Sequence, residues 1–270
     1  MDDHQFRQLL NRFGLSWRGY RRVRKGVKKR IRRHMKALGF LDFEAYLLAL
    51  DKDMALRAQC EVLMTVSISR FFRDRGFWES CENQILPEII HRHREGVKVW
   101  FAGCACGEEV FSFTILWDRL QDQFKAMPDL EVLATDMNAV YLERAQLGLF
   151  SRSSLREVPA EVREKYFKRQ EEANQYRIAP SLERGISWRF HNILHEPPDR
   201  DFHLIFLRNN LLTYYEDGLK IPAFQKVVDC LVPGGFLIIG SHEKLPLETK
   251  DLLTHNTCSY VFQKRDPSKY

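Results

Sequence analysis

From residue 97 onward, short apolar segments alternate with amphipathic ones, and this alternation restricts the possible folds more than any other feature of the chain. Segments of strand length and composition occupy residues 97–103, 130–136, 201–208 and 236–240. Helical segments at residues 108–120, 137–147 and 219–231 separate them. Strands that alternate with helices predict a parallel sheet covered on both faces. The sequence therefore predicts an α/β, doubly wound, Rossmann-like domain.

The pattern of the first 85 residues differs from this alternation and predicts helices without strands. One apolar stripe recurs at spacings of three and four residues and predicts an amphipathic helix: Val23, Val27, Ile31, Met35 and Leu38. We therefore expect a small N-terminal helical domain over residues 1–85 and the α/β domain over residues 86–270. Within the latter, β-like runs at 175–178 and 186–190 around Pro180 predict a small β-hairpin insertion in residues 164–190.

Positive charge is concentrated in one element. The formal net charge is +6, yet residues 17–36 alone hold eleven Lys or Arg and no acid. The rest of the chain is mildly acidic. A basic helix of this kind could attract an acidic protein, nucleic acid phosphates or an anionic membrane surface, or could simply be a solvated face.

Several classes of protein are disfavoured by composition. No apolar run approaches the roughly 18 residues that span a bilayer, and the first residues lack the pattern of a signal peptide. The six cysteines form neither a CxxC pair nor a zinc-binding spacing. We expect a cytoplasmic protein with reduced thiols, without membrane insertion and without a metal.

A glycine turn directly follows the first strand. Gly103 and Gly107 enclose three residues, and Glu108 and Glu109 come next. Glycines at such a turn let a ligand approach the backbone, so Gly103 is a candidate cofactor-binding residue. Two acids at the helix start would repel a pyrophosphate but are compatible with the ammonium and sulfonium groups of S-adenosylmethionine. An ordinary turn whose acids interact favourably with the helix dipole is the alternative.

The second strand ends in Asp136, 33 positions beyond Gly103. An acid at this place can accept hydrogen bonds from ribose hydroxyls, although an acid after a strand is often only a helix cap. Together with the glycine turn, Asp136 favours a nucleoside cofactor.

The motifs, taken together, resemble the chemotaxis receptor methyltransferases of the CheR type. The resemblance extends over nearly the whole chain. It rests on Tyr20 followed in order by residues 29–33 (KRIRR), 69–74 (SRFFRD), 99–104 (VWFAGC), 107–109 (GEE), 134–136 (ATD), 192–194 (NIL), 205–209 (IFLRN) and 240–243 (GSHE).

This resemblance implies a small helical domain on an α/β methyltransferase domain with a β insertion, and S-adenosylmethionine as the cofactor. It implies cofactor contacts from Ser67, Ser69, Arg73, Glu109, Asp136, Asn192, Ile193, Arg208 and Asn209. Glu109 would meet the methionine part, Asp136 the ribose, and Asn192 and Ile193 the adenine. The segment around Phe71 and Phe72 would fold over the cofactor.

The implied reaction is methyl transfer to glutamate side chains of a chemoreceptor, which forms methyl esters. A glutamate is ionised at pH 7, with an unperturbed pKa of about 4.3, so no general base is required. Arg73 is our candidate for orienting the acceptor carboxylate, because a guanidinium offers bidentate geometry. Alternatively, Arg73 is a surface residue that pairs with Asp74 or Glu79.

The implied partner is the acidic helical methylation region of a chemoreceptor, with Arg30 and Arg33 of the basic helix as the contacts. Nucleic acid is not expected, and the protein is expected to be a monomer. Methylation of an exocyclic amine is disfavoured because residues 208–211 (RNNL) lack the proline-rich loop used for that chemistry.

Three departures from the family pattern leave alternatives open. Thr213 stands where the family usually has Tyr, Val110 follows the acid pair in place of Pro, and residues 167–176 contain no Gly. The last difference disfavours tethering to a receptor tail. The first keeps open a regulatory module that binds S-adenosylmethionine without catalysis, or a methyltransferase with a non-receptor substrate.

Overall fold

The computed structural model describes residues 1–67, 69–171, 174–256 and 258–267. Its helices are α1 (Asp3–Arg12), α2 (Trp17–Tyr20), α3 (Arg24–Ala37), α4 (Phe43–Lys52), α5 (Met54–Met64), α6 (Arg75–Ser80), α7 (Leu86–Arg92), α8 (Glu108–Leu120), α9 (Ala139–Leu147), α10 (Ala160–Tyr166), α11 (Leu211–Tyr214) and α12 (Asp217–Asp229). Its strands are β1 (Gly96–Ala102), β2 (Asp129–Asp136), β3 (Leu149–Ser151), β4 (Phe167–Gln170), β5 (Gln175–Ile178), β6 (Ile186–Phe190), β7 (Phe202–Leu207), β8 (Leu231–Ile239), β9 (Leu252–His255) and β10 (Cys258–Lys264).

Seven strands form the central sheet, in the order β6-β2-β1-β7-β8-β10-β9. The first five of these run parallel, whereas β10 is antiparallel to both β8 and β9. The predicted doubly wound α/β fold is therefore confirmed. The strand order reverses beside β1, and this is the point where open parallel sheets bind ligands.

The two faces of the sheet carry separate parts of the core, because successive strand side chains point in opposite directions. On β1, Trp100 packs with the N-terminal helices and α12, while Phe101 packs with α6 to α8 on the other face. Phe101 stacks on Phe206 of β7 with ring centroids 4.2 Å apart. Residues 71–90 thus belong to one face and helices α1 to α5 to the other, and the predicted domain boundary at residue 85 stays a prediction.

The basic helix forms where its apolar stripe predicts it. Val27, Ile31 and Met35 are buried along one side of α3. The helix ends at Ala37, before Gly39 with its φ of +78°, so Leu38 lies beyond the last turn and is 47% exposed.

A tight seam joins the N-terminal helices to the end of β7. The Ser16 amide donates to the Tyr214 carbonyl at 2.8 Å, and the Glu216 amide donates to the Gly14 carbonyl at 2.8 Å. A Cβ on Gly19 would lie 2.1 Å from the Thr213 carbonyl oxygen, so α2 can approach α11 this closely only with glycine there. The seam brings the start of the basic segment to the carboxyl edge of the sheet.

The insertion differs in detail from the sequence prediction. The small second sheet has the order β3-β5-β4, and its hairpin pairs β4 with β5. The other expected hairpin strand, 186–190, is β6, which pairs in parallel with β2 at the edge of the central sheet. Residues 172 and 173 lie outside the described residues. Pro233 lies inside β8, near a register shift against β7.

None of the helices in the described ranges combines the length and apolar character that crossing a bilayer requires.

Candidate active site

A cavity lies at the carboxyl ends of β1, β2, β6 and β7, beneath the N-terminal helices. Its lining from the helical side consists of Leu15, Tyr20, Glu61, Met64, Thr65 and Val66. Its lining from the sheet side consists of Gly103, Ala105, Thr135, Asp136, Met137, Tyr141, His191, Ile193, Asn209, Asn210, Tyr214 and Tyr215. The cavity therefore exists only where the two parts of the chain meet.

The glycine turn after β1 forms one wall of this cavity. Gly103 has a φ of +92°, and a Cβ there would lie 2.1 Å from Asn210 Nδ2. The amides of Gly103 and Cys104 both donate to the Thr135 carbonyl at 2.9 Å, which holds the turn against the end of β2. Position 103 thus requires glycine for its conformation and for space.

Asp136 presents a half-buried carboxylate at the end of β2. Its Oδ2 accepts from the Ala105 amide and its Oδ1 from the Asn138 amide, each at 2.9 Å. Asn138, and not Asp136, caps α9, because its own Oδ1 accepts from the Val140 amide at 3.1 Å. Burial raises the pKa of Asp136 above its usual value.

The residues present fit a nucleoside. A carboxylate can accept about four hydrogen bonds, and the backbone amides of Ala105, Asn138 and Met137 act on Asp136, which leaves about one or two acceptor positions for ribose hydroxyls. The alternative of a simple helix cap does not describe this residue, since another side chain caps the helix.

Glu109 belongs to a buried charge group and is absent from the cavity lining. Arg208, whose side chain is 0% exposed, makes one ion pair with Glu109 and another with Asp74 at 2.5 Å. Its guanidinium carbon lies 4.5 Å from the centroid of the Phe77 ring. Burial by itself lowers the pKa of Arg208, but the two carboxylates outweigh it and the net effect is a raised pKa.

A second half-buried carboxylate, Glu243, holds the turn after β7. Its Oε2 accepts from the amides of Asn209 and Gly240 at 2.9 and 2.7 Å, and its Oε1 accepts from the Thr213 hydroxyl at 2.5 Å. Burial raises the pKa of Glu243. The Thr213 hydroxyl is therefore engaged in holding this turn, and Asn209 is placed at the cavity with a φ of +53°.

Tyr214, next to Thr213, lines the cavity. Residues 211–214 form the short helix α11, which turns the Tyr214 side chain towards it. Its ring meets Tyr20 edge-on at 5.0 Å. Burial raises the pKa of Tyr214, and the positive charge of Arg73 partly offsets this.

The segment before α6 lies further from the cavity than the family resemblance suggests. Phe71 is fully buried against Phe150 and Phe167, with centroids 4.8 and 4.9 Å apart, and neither Phe71 nor Phe72 lines the cavity. The Ser69 hydroxyl is hydrogen bonded to the buried Glu108, and Ser67 is exposed. Phe71 thus anchors the segment to β3 and β4, and Ser69 anchors it to the start of α8.

The two predicted adenine contacts at the end of β6, Asn192 and Ile193, have different surroundings in the structure. Ile193 is 7% exposed and lines the cavity. Asn192 uses its Oδ1 to accept from the Leu194 amide at 3.1 Å, which shapes the turn.

Sequence reasoning missed most of the lining that comes from the helical side and three tyrosines: Tyr141, Tyr214 and Tyr215. No sequence motif identifies these residues as ligand contacts, and only folding brings them together.

The two predicted docking residues of α3, Arg30 and Arg33, differ in their hydrogen bonding. Arg30 donates from Nε to the Leu63 carbonyl at 2.8 Å and from a terminal nitrogen to the Thr65 carbonyl at 2.7 Å. It thereby satisfies backbone groups at the end of α5, beside the cavity wall. Arg33 is exposed and makes no hydrogen bond or ion pair within the described part of the chain.

The sheet order, the acid after β2 and the glycine turn after β1 define the class as an S-adenosylmethionine-dependent methyltransferase of the Rossmann-like type. The chain belongs to the CheR methyltransferase family, because residues 67–262 match the family model described as "CheR methyltransferase, SAM binding domain".

Curated proteins that are similar to this chain match it over most of their own length. The chain is 31% identical over 237 residues to a chemotaxis protein methyltransferase of Listeria innocua, covering 87% of each protein. It is 28% identical over 231 residues to a probable chemotaxis protein methyltransferase of Rhizobium etli, covering 83% of this chain and 85% of that one. Among solved structures, a putative class I S-adenosylmethionine-dependent methyltransferase of Listeria monocytogenes gives a TM-score of 0.42 with 10% identity, covering 83% of this chain and 68% of the other.

Proposed function

We propose that this protein transfers the methyl group of S-adenosylmethionine to glutamate side chains in the acidic helical methylation region of a chemoreceptor. Two observations together carry the proposal: the match to a methyltransferase family described as binding S-adenosylmethionine, and a cavity at the carboxyl edge of the sheet that Asp136 lines. The curated relatives, named as chemotaxis protein methyltransferases, support the choice of a chemoreceptor.

The chain's own residues would act mainly by binding and alignment. Asp136 would hold the ribose hydroxyls, with Gly103 allowing close approach and Ile193 covering the base. The cofactor supplies an electrophilic methyl group. The acceptor glutamate is already ionised at neutral pH, so the protein must orient one carboxylate oxygen and exclude water, and it needs no base. Arg73 is outside the cavity lining, but its charge acts on the cavity residue Tyr214, and we propose that it orients that carboxylate.

An exposed basic ridge gives the proposed substrate a place to dock. We use this name for Arg18, Arg22, Lys25, Lys29, Arg33 and Lys36, all of which are exposed. Four of them follow one another along α3 at spacings of three or four residues, which places them on one face. The seam at Gly19 joins this ridge to the cavity. A long acidic helix would be attracted to it, and the attraction would speed encounter.

The test is incubation of the purified protein with radiolabelled cofactor and an acidic receptor fragment, followed by alkali. Release of labelled methanol is expected, since a carboxyl methyl ester is base-labile. The matched control is the same fragment with its acceptor glutamates replaced by alanine, which should stay unlabelled. Label that survives alkali would contradict ester formation.

A second candidate is a cofactor-binding module without catalysis, and one observation favours it. Thr213 stands where the resemblance expects Tyr, and its hydroxyl is committed to Glu243. Retained binding of S-adenosylhomocysteine with no label in any fragment would support this candidate.

Arg30 and Arg33 provide a matched pair that separates docking from support of the cavity wall. Arg30→Met should lower the free energy of unfolding by roughly 1.5–3 kcal/mol, because two carbonyls at the end of α5 lose a charged donor. Arg33→Met, which removes the same charge from the ridge, should change stability by less than about 0.5 kcal/mol. Urea unfolding measures both.

The same pair is expected to differ in receptor methylation. Arg33→Met should slow methylation at low ionic strength. Added salt should reduce the difference in rate between the variant and the wild type, because screening weakens the attraction of the wild type to the receptor as well. If Arg33→Met methylates at the wild-type rate in low salt, the ridge has no docking role at that position.

A further inference from the structure

Glu61 is a cavity residue that no sequence motif or proposed role accounts for. It lies on α5, and Met64 and Thr65, three and four positions later, line the same cavity. This spacing puts all three side chains on the face of α5 that covers the cavity. Glu61 thus adds a second carboxylate to a site that already contains Asp136.

The carboxylate of Glu61 has no hydrogen-bond partner within the described residues. Arg57 and His195 are near enough to act on its charge, but burial outweighs them and raises the pKa of Glu61. Glu61 is half-buried and lines the cavity, so its carboxylate is available to a donor on a bound ligand.

Hydrogen bonds place the end of α5, one turn after Glu61, at the side of the cavity that follows β2. The Asn138 side-chain amide donates to the Thr65 hydroxyl at 2.9 Å, at the start of α9. The Tyr215 hydroxyl lies 4.0 Å from Met137 Sδ, which also follows β2. The neighbouring His195 belongs to the turn after β6, where its amide donates to the Asn192 carbonyl at 2.9 Å. Ile193 of the same turn lines the cavity. The glycine turn after β1 lies on the other side of Asp136.

This placement suggests which part of the ligand Glu61 would meet. If Asp136 holds the ribose, the two ends of the cofactor extend in opposite directions from it. The glycine turn and the start of α8 are on one side, and the β6 turn with Glu61 is on the other. The base therefore lies towards Glu61, an assignment that rests on the proposed cofactor.

We infer that Glu61 accepts a hydrogen bond from the exocyclic amino group of the cofactor's adenine and is a specificity-determining residue for the base. An ionised carboxylate only accepts hydrogen bonds, and the amino group supplies N–H donors. Hypoxanthine carries a carbonyl oxygen at that position. Its lone pairs would face the carboxylate of Glu61, and neither group could donate.

The experiment is calorimetric titration of the full chain with S-adenosylhomocysteine and with its deaminated analogue, S-inosylhomocysteine. The wild type should bind the adenine compound at least about tenfold more tightly, since one charge-assisted hydrogen bond corresponds to roughly tenfold or more. Glu61→Gln should lose about tenfold in affinity for the adenine compound. It should also discriminate less, because its amide can donate to the carbonyl of hypoxanthine. The control is Glu44→Gln, an exposed acid on α4 outside the cavity lining.

The outcomes separate this inference from the proposed function. A wild type that binds neither compound removes the cofactor site itself. A wild type that binds both equally overturns the role of Glu61 without any variant. The role of Glu61 is also overturned if Glu61→Gln, shown by circular dichroism to be folded, keeps both the affinity of the wild type and its preference for the adenine compound.

Discussion

Replacing Arg208 by Met is expected to lower the free energy of unfolding by roughly 3–5 kcal/mol, the cost of breaking a buried ion group by removing one partner. The Arg208 side chain is 0% exposed and lies between the carboxylates of Glu109 and Asp74. Met fills similar space but leaves both acids with no cation between them. Guanidinium chloride unfolding, followed by circular dichroism, measures the change.

The control for this prediction is an exposed ion pair of the same types. Arg75 pairs with Glu79 one turn later on α6, and their side chains are 80% and 57% exposed. Arg75→Met should cost no more than about 1 kcal/mol, because solvent screens such pairs. Equal losses for the two variants would show that the buried group around Arg208 contributes no more than a surface pair.

Asp136→Ala is expected to weaken S-adenosylhomocysteine binding by about tenfold to a hundredfold, the equivalent of roughly 1.5–3 kcal/mol for a charge-assisted hydrogen bond. The carboxylate also holds the Ala105 amide of the glycine turn, so the variant loses a direct contact and a support for the wall. Isothermal titration calorimetry gives the affinity directly.

Asp129→Ala is the matched control, since Asp129 starts the same strand at its opposite end and is exposed. It should bind the ligand as the wild type does. Unchanged affinity in Asp136→Ala would refute the ribose site and, with it, the assignment of the base side of the cavity.

Local sequence patterns were sufficient to predict most of the strands and helices of the central sheet. α8 begins and ends at the predicted residues 108 and 120, and β1, β2 and β7 lie within one residue of their predicted limits. These elements depend on periodicity over a few residues, which is a local property. The β6 segment was assigned to the wrong sheet because a short apolar run shows that a strand exists and does not show which strand it pairs with.

The site was predictable where a motif combines with a strand end. Gly103 and Asp136 both line the cavity, because the carboxyl ends of adjacent parallel strands meet at one edge. Glu109 was identified, but its pairing with Arg208, 99 residues away, was not foreseen. Charge partners across such separations depend on how layers pack, and no local pattern encodes this.

By itself, the sequence determined the order of strands and helices, the position of the glycine turn and the acid that follows β2, and one basic segment that holds eleven Lys or Arg and no acid. Only the tertiary structure decided that the N-terminal helices cover the cavity, that Arg30 supports its wall while Arg33 is exposed, and that Glu61 enters it. The physical reason is range: hydrogen bonding and side-chain periodicity act over a few residues, whereas the seam at Gly19 and the burial of Glu61 arise from packing between segments distant along the chain.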